Sequence, residues 1–211
     1  MGMKATFQPA LDIKAHAQTS PEATFSAIAF AIISAQTRLN LNVNTNILVN
    51  KWVKESGKVK AYADVTQEEK SMCGTGLSPR KVESLTYIWE NRKEIHAKYL
   101  ECLNMEKGHL TWWNYCMDVL SGMGLVKAAF CTQLMFNELG CIDTHNAKEL
   151  GIDMPKGKSN KGRAIYLEIQ SVKDSKSWWC DWCDFLAEKY PHIYKDGNEV
   201  SELHFKGIFI G

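Results

Sequence analysis

Four residues, Ser121-Gly122-Met123-Gly124, constrain this chain more than any other feature. They lie between two stretches that read as helices, residues 111–120 and 125–139. A turn this short folds one helix back on the other and starts the second helix at the turn itself. A helix start leaves backbone N–H groups without intrahelical acceptors and carries the positive end of the helix dipole. It can therefore hold a phosphate without a charged side chain. That matters because Lys and Arg total 25 and Asp and Glu total 24, a formal net charge of +1. The balance excludes a histone-like polycation but leaves open a chain that binds nucleic acid through its backbone.

The rest of the sequence punctuates as helices, which predicts an all-α fold. Ser20-Pro21-Glu22 places a cap, a proline and an acid at a helix start, and residues 25–33 read as a buried helix. Asn40, Asn42, Asn44 and Asn46 interrupt the next region, which resumes apolar over residues 47–53. Thr66 and Glu69 fit a capping box, and Gly74 and Gly76 then break the chain. Ser78-Pro79 opens a helix to about residue 99, with Val82, Leu85, Ile88 and Trp89 on one face. Asp143 caps a short helix ended by Gly151, and residues 155–163 read as a polar, basic loop. Two helices follow, near 164–172 and 177–190, and residues 204–210 read as a short strand or an irregular tail.

The longest unbroken apolar run, residues 27–33, has seven residues. A membrane span needs about 20. No basic segment precedes it as in a signal peptide, so no membrane partner is expected. Seven scattered cysteines read as reduced thiols, placing the chain in a cytoplasmic, nucleoid-associated or otherwise intracellular setting.

Three stretches carry a resemblance. Leu120, Gly122, Gly124 and Ala128 are in register with an L-P-G-V-G-x-K-x-A hairpin, and Asp143-Thr144-His145 follows at nearly the distance expected of V-D-T-H. Ile33-Ser34-Ala35-Gln36-Thr37 matches an L-S-A-Q-x segment, and Gly76-Leu77-Ser78-Pro79-Arg80-Lys81 matches G-L-x-x-x-K. In this order they resemble the helix-hairpin-helix DNA glycosylases of the endonuclease III superfamily, across about three fifths of the chain, residues 24–151. The resemblance implies a two-lobed helical fold: a six-helix domain over residues 22–135, and a second domain from residues 1–21 and 136–211. It implies a monomer that flips an altered base out of duplex DNA and excises it. Asp143 would be the catalytic carboxylate, Gln36 would fill the hole left in the duplex, and Gly122, Gly124 and Leu125 would meet a phosphate. A monovalent cation at the hairpin carbonyls is kept as an option.

The sequence departs from that pattern at four places. Val126 stands where relatives that attack the sugar carry a lysine, and Lys127 comes one residue later, about 100° around the helix. Lys127 is therefore a second-rank catalytic candidate. Only Cys180 and Cys183 lie near the end, against the four cysteines of a [4Fe–4S] site, so neither an iron–sulfur cluster nor another metal is expected. Ser121 replaces the usual proline, and Ser78 a frequent tyrosine.

Each residue also has a plainer reading. Asp143 serves as an N-cap, Gln36 as a buried amide and Lys127 as a solvated helix lysine. His145 orients the Asp143 turn or packs beneath it, Trp178, Trp179, Trp182 and Phe185 bury a helix face, and Lys156, Lys158, Lys161 and Arg163, candidates for phosphate contact, form a solvated loop. Two other functions compete: a transferase that modifies a base on a glycosylase-like scaffold, and a non-catalytic duplex-binding module.

Overall fold

A computed structural model of the chain describes residues 4–34, 38–155 and 157–209. Among these residues the protein is all-α, with twelve helices and no strand. They are α1 (Gln8–Ala17), α2 (Pro21–Ile33), α3 (Leu39–Ser56), α4 (Gln67–Cys73), α5 (Pro79–Glu90), α6 (Arg92–Leu103), α7 (Gly108–Val119), α8 (Leu125–Phe136), α9 (Thr144–Glu149), α10 (Asn160–Gln170), α11 (Ser175–Lys189) and α12 (Gly197–Ile208). Two short 3-10 turns, Tyr62–Asp64 and Gly74–Gly76, flank α4. No helix among the described residues is long and apolar enough to cross a membrane.

The apolar run identified in the sequence lies in α2, which is buried from Ala23 to Ile33. A helix that is apolar on every side belongs at the centre of a domain, and α2 packs against α1, α3, α5, α6, α8 and α12. Ser20 starts it by accepting the Ala23 N–H. Thr66 and Glu69 form the expected capping box, and Ser78 accepts the Lys81 N–H to start α5.

The structure differs from the sequence reading at five places. First, the sequence reading holds no helix where α1 stands; Pro9 lies in its first turn, and Ala10, Ile13 and Ala17 are buried. Second, α3 runs straight through the asparagine-rich stretch. Asn40 and Asn44 point to solvent, while Asn42, Asn46 and Asn50 are buried. The Asn46 amide donates to the Ser26 and Gly207 carbonyls at 3.2 and 2.8 Å, and that of Asn50 donates to Ser26 Oγ at 3.1 Å. Asparagine's small helix penalty is outweighed by these tertiary bonds. Third, residues 204–208 of the predicted tail are the C-terminal end of α12 and not a strand. Asp196 caps it, and Val200, His204 and Ile208 bury one face. Ser26 Oγ donates to the Ile208 carbonyl at 2.8 Å, tying α12 to α2. Fourth, the helix predicted from Ser78 to residue 99 is two helices, split at Asn91, whose side chain donates to the Tyr87 carbonyl. Such a side chain competes with the helical backbone. Fifth, α10 begins inside the predicted 155–163 loop, where Ser159 accepts the Gly162 N–H.

On α11 the buried face is Trp178, Trp179, Cys183 and Ala187. Trp182 and Phe185 lie half-buried and stacked, with ring centres 5.6 Å apart. The first and last helices are neighbours, because α1 packs on α12 and α12 on α11.

Candidate functional site

The hairpin forms as the glycine turn requires, with α7 folding back along α8 through residues 120–124. Leu120, Met123 and Leu125 are buried, which seats the turn on the core. The Trp113 indole N–H donates to the Leu125 carbonyl at 3.2 Å and fixes the start of α8 against α7. Gly122 has φ +83°, in the left-handed region, and a Cβ there would lie 3.0 Å from Ser84 Oγ of α5. Gly122 is therefore a glycine for conformation and for close approach.

Gly124 is different. Its backbone is extended, with φ −114°, and a Cβ would meet nothing within 4 Å. It is the N-cap of α8, no side chain caps that end, and the first turn holds no acid. The first intrahelical bond that reaches back to it is Ala128 N–H to the Gly124 carbonyl at 2.9 Å. The amides of Leu125, Val126 and Lys127 precede that bond, and helix geometry gives them no acceptor within α8.

Lys127 turns back over the hairpin, its ammonium 3.3 Å from the Gly122 carbonyl. Burial, then the Arg80 charge, holds its pKa below the usual lysine value. A monovalent cation at that carbonyl would meet the Lys127 ammonium. Beside it, Lys81 of α5 donates to the Ile33 and Thr75 carbonyls, both at 2.9 Å. Burial, then the Lys127 charge, brings its pKa down to about 8.

Asp143 lies on the segment between α8 and α9, which is bonded back to α8. The Cys141 N–H donates to Gln133 Oε1 of α8 at 3.2 Å, and Cys141 Sγ lies 3.9 Å from the Val126 carbonyl. The Ile142 N–H donates to the buried Tyr166 hydroxyl at 3.0 Å, and that hydroxyl donates to the Gly140 carbonyl at 3.0 Å. A Cβ on Gly140 would sit 2.0 Å from the Trp178 ring, so only glycine lets this segment pass. Asp143 Oδ1 accepts the Asn146 N–H at 3.0 Å, so the carboxylate does cap α9. Burial, then the Asp143 charge, pushes the Cys141 thiol well up.

The structure thus brings Gly122 and Lys127 together, and it ties the segment carrying Asp143 to the first and third turns of α8. Gln36 lies outside the described residues, as do the side chains of Thr144 and His145. The basic segment that leads into the first turn of α10 is not simply solvated: Lys158 donates to the Met117 carbonyl, and Arg163 bonds Asn114 and Asp118, both docking on α7. Lys161 is exposed, and Lys156 lies outside the described residues. Among the described residues no group of three or more His, Cys, Asp or Glu side chains is arranged to hold a metal. Sequence reasoning missed Gln133 and Tyr166, and it met Lys81 as the last residue of the G-L-x-x-x-K match without assigning it a role. For Gln133 the available signal was a polar residue in the apolar run of α8.

Compared with known proteins, the chain matches no protein-family model, no curated protein and no solved structure.

Proposed function

We propose that this chain binds duplex DNA through the α7–α8 hairpin and excises an altered base, on a two-lobed, glycosylase-like scaffold that acts as a monomer inside the cell. The observation that carries the reading is the uncapped start of α8, with the segment that ends in Asp143 bonded to the same helix.

In this reading the N–H groups of residues 125–127 hold one backbone phosphate, and Gly124 leaves room for the strand to approach. A stacked base is out of reach, so it is extruded at a cost of a few kcal/mol. Breaking the bond between base and sugar develops positive charge on the sugar. The Asp143 carboxylate stabilises that charge and orients a water for attack on the sugar carbon. Lys127 is spent on the Gly122 carbonyl, which favours water over an amine as nucleophile. No cofactor is required.

The test is incubation with a panel of duplexes, each carrying one altered base or mismatch, with alkali-labile breaks reporting base loss. Release of one base from duplex supports the reading. An intact strand with a changed base mass would replace it with a base-modifying transferase. Salt-dependent binding that leaves every base in place would replace it with a binding module.

A further inference from the structure

Lys81 lies in the first turn of α5, and its ammonium donates to two carbonyls from other parts of the chain. One is Ile33, the last residue of α2 and 48 positions away; the other is Thr75, in the Gly74–Gly76 turn. The last turn of α2 holds no basic residue of its own. Lys81 supplies, from a different helix, the cation that a helix C-terminus favours. One turn further along α5, Ser84 Oγ lies against Gly122 of the hairpin turn. The first two turns of α5 therefore join three chain reversals: the end of α2, the turn before α5 and the hairpin. The position is costly for a cation. It is partly desolvated and feels the charge of a second ammonium, Lys127 of α8, which in turn feels that of Arg80. A well-packed apolar residue would carry no such cost.

We propose that Lys81 is a positioning residue for duplex engagement, locking the end of α2 and the Gly74–Gly76 turn to α5 so that they meet DNA in fixed register with the hairpin. This rests on the duplex-binding reading above and adds to it a residue outside the hairpin. The charge is part of the device: charge-assisted bonds to carbonyls are roughly twice as strong as neutral ones.

The test compares the intact protein with Lys81→Met and Lys81→Arg in two measurements. The first is amide hydrogen exchange in peptides covering the end of α2 and residues 74–78. The second is binding to two labelled duplexes, one unmodified and one carrying a tetrahydrofuran abasic analogue. We expect Lys81→Met to speed exchange in both peptides and to lower the preference for the analogue about tenfold, the equivalent of one charge-assisted hydrogen bond. Affinity for the unmodified duplex should fall by less than the affinity for the analogue, because phosphate contacts at the hairpin remain. Lys81→Arg should restore both readouts. Unchanged exchange in Lys81→Met overturns the lock itself. Faster exchange with the preference intact overturns the positioning role and leaves a purely structural tie. Loss of preference that arginine fails to rescue overturns the role of the charge. A wild-type protein that binds neither duplex overturns the duplex reading, while exchange still reports on the lock. Should Lys81→Met lose its helical signal, Lys81→Gln is read in the same way.

Discussion

The chain holds two G-x-G turns, Gly74-Thr75-Gly76 before α5 and Gly122-Met123-Gly124 before α8, and they do opposite things. In both, the first glycine has positive φ, +51° at Gly74 and +83° at Gly122. Each helix that follows has 12 residues. The second glycine separates them. A Cβ at Gly76 would lie 2.4 Å from Thr45 Oγ1, whereas at Gly124 it would meet nothing. The start of α5 is then closed by the Ser78 side chain, while α8 begins without any side-chain cap. The same string thus serves packing in one place and leaves an open backbone in the other. What distinguishes them is whether protein or solvent fills the space a side chain would have taken.

If the open turn belongs to a working site, its largest consequence lies in the carboxylate of Asp143, whose segment is bonded to the same helix through Cys141. We expect Asp143→Asn to slow base release by about 10²- to 10³-fold, the scale set by losing one electrostatic stabiliser of a transition state. Duplex affinity should hold or improve, because a negative charge near the phosphates is removed. Single-turnover rates and binding isotherms check this, and normal release by the mutant would end the assignment.

The two second glycines break the comparison most directly. Gly76→Ala forces a methyl against Thr45, which is held by its own bond to the Leu41 carbonyl. Overpacking of this kind costs about 1–3 kcal/mol, visible as a lowered denaturation midpoint. Gly124→Ala meets no atom, so its midpoint should change by no more than the few tenths of a kcal/mol typical of a surface substitution. Its effect should instead be weaker binding to all duplexes alike. A stability loss at position 124 equal to that at 76 would erase the distinction.

A smaller effect sharpens it further. Ser78→Ala removes the cap of α5 and should cost about 1 kcal/mol. Gly124→Asp does the reverse at α8, laying a carboxylate over its amides where the helix dipole favours negative charge. Thermal stability should not fall, yet every duplex should bind about tenfold more weakly, as expected when a phosphate's charge-assisted bonds are pre-empted. Unchanged affinity would mean that DNA does not use this end.

These contrasts also mark what the sequence makes legible. Ser20, Thr66 and Ser78 announce helix starts because each bonds an amide three residues away, and the Gly122 turn is local in the same sense. The asparagines of α3 and the tail that becomes α12 mislead because their hydrogen bonds go to residues far along the chain, Ser26 to Ile208 among them. The site divides in the same way. Asp143 and the glycines are visible from spacing. Gln133 and Tyr166 hold the segment carrying Asp143 from outside it, and Lys81 bonds carbonyls that no local pattern connects to it. The difference between Gly76 and Gly124 is likewise invisible in the string, since it depends on Thr45 from another helix.

The smallest expected effect concerns Lys127. A lysine that attacked the sugar would form a Schiff base, and borohydride would trap a covalent protein–DNA adduct. Two properties of Lys127 pull in opposite directions. Burial and the Arg80 charge lower its pKa, which makes the amine a better nucleophile. Its ammonium, however, lies 3.3 Å from the Gly122 carbonyl, folded over the turn, while the segment leading to Asp143 meets α8 at the Val126 carbonyl and at Gln133. A lowered pKa cannot compensate for a nucleophile aimed away from the reacting carbon, because attack needs an approach of about 3–3.5 Å. Geometry therefore decides. We expect no trapped adduct from an active enzyme, and a Lys127→Ala variant that releases base within about threefold of the wild-type rate, a change of under 1 kcal/mol. Its duplex affinity should fall modestly and become less salt-dependent, as when one cation near the phosphates is lost. A trapped adduct that disappears in Lys127→Ala would reverse this reading: the hairpin lysine would then have to leave Gly122 on binding DNA, and the open start of α8 would serve the nucleophile as well as the phosphate.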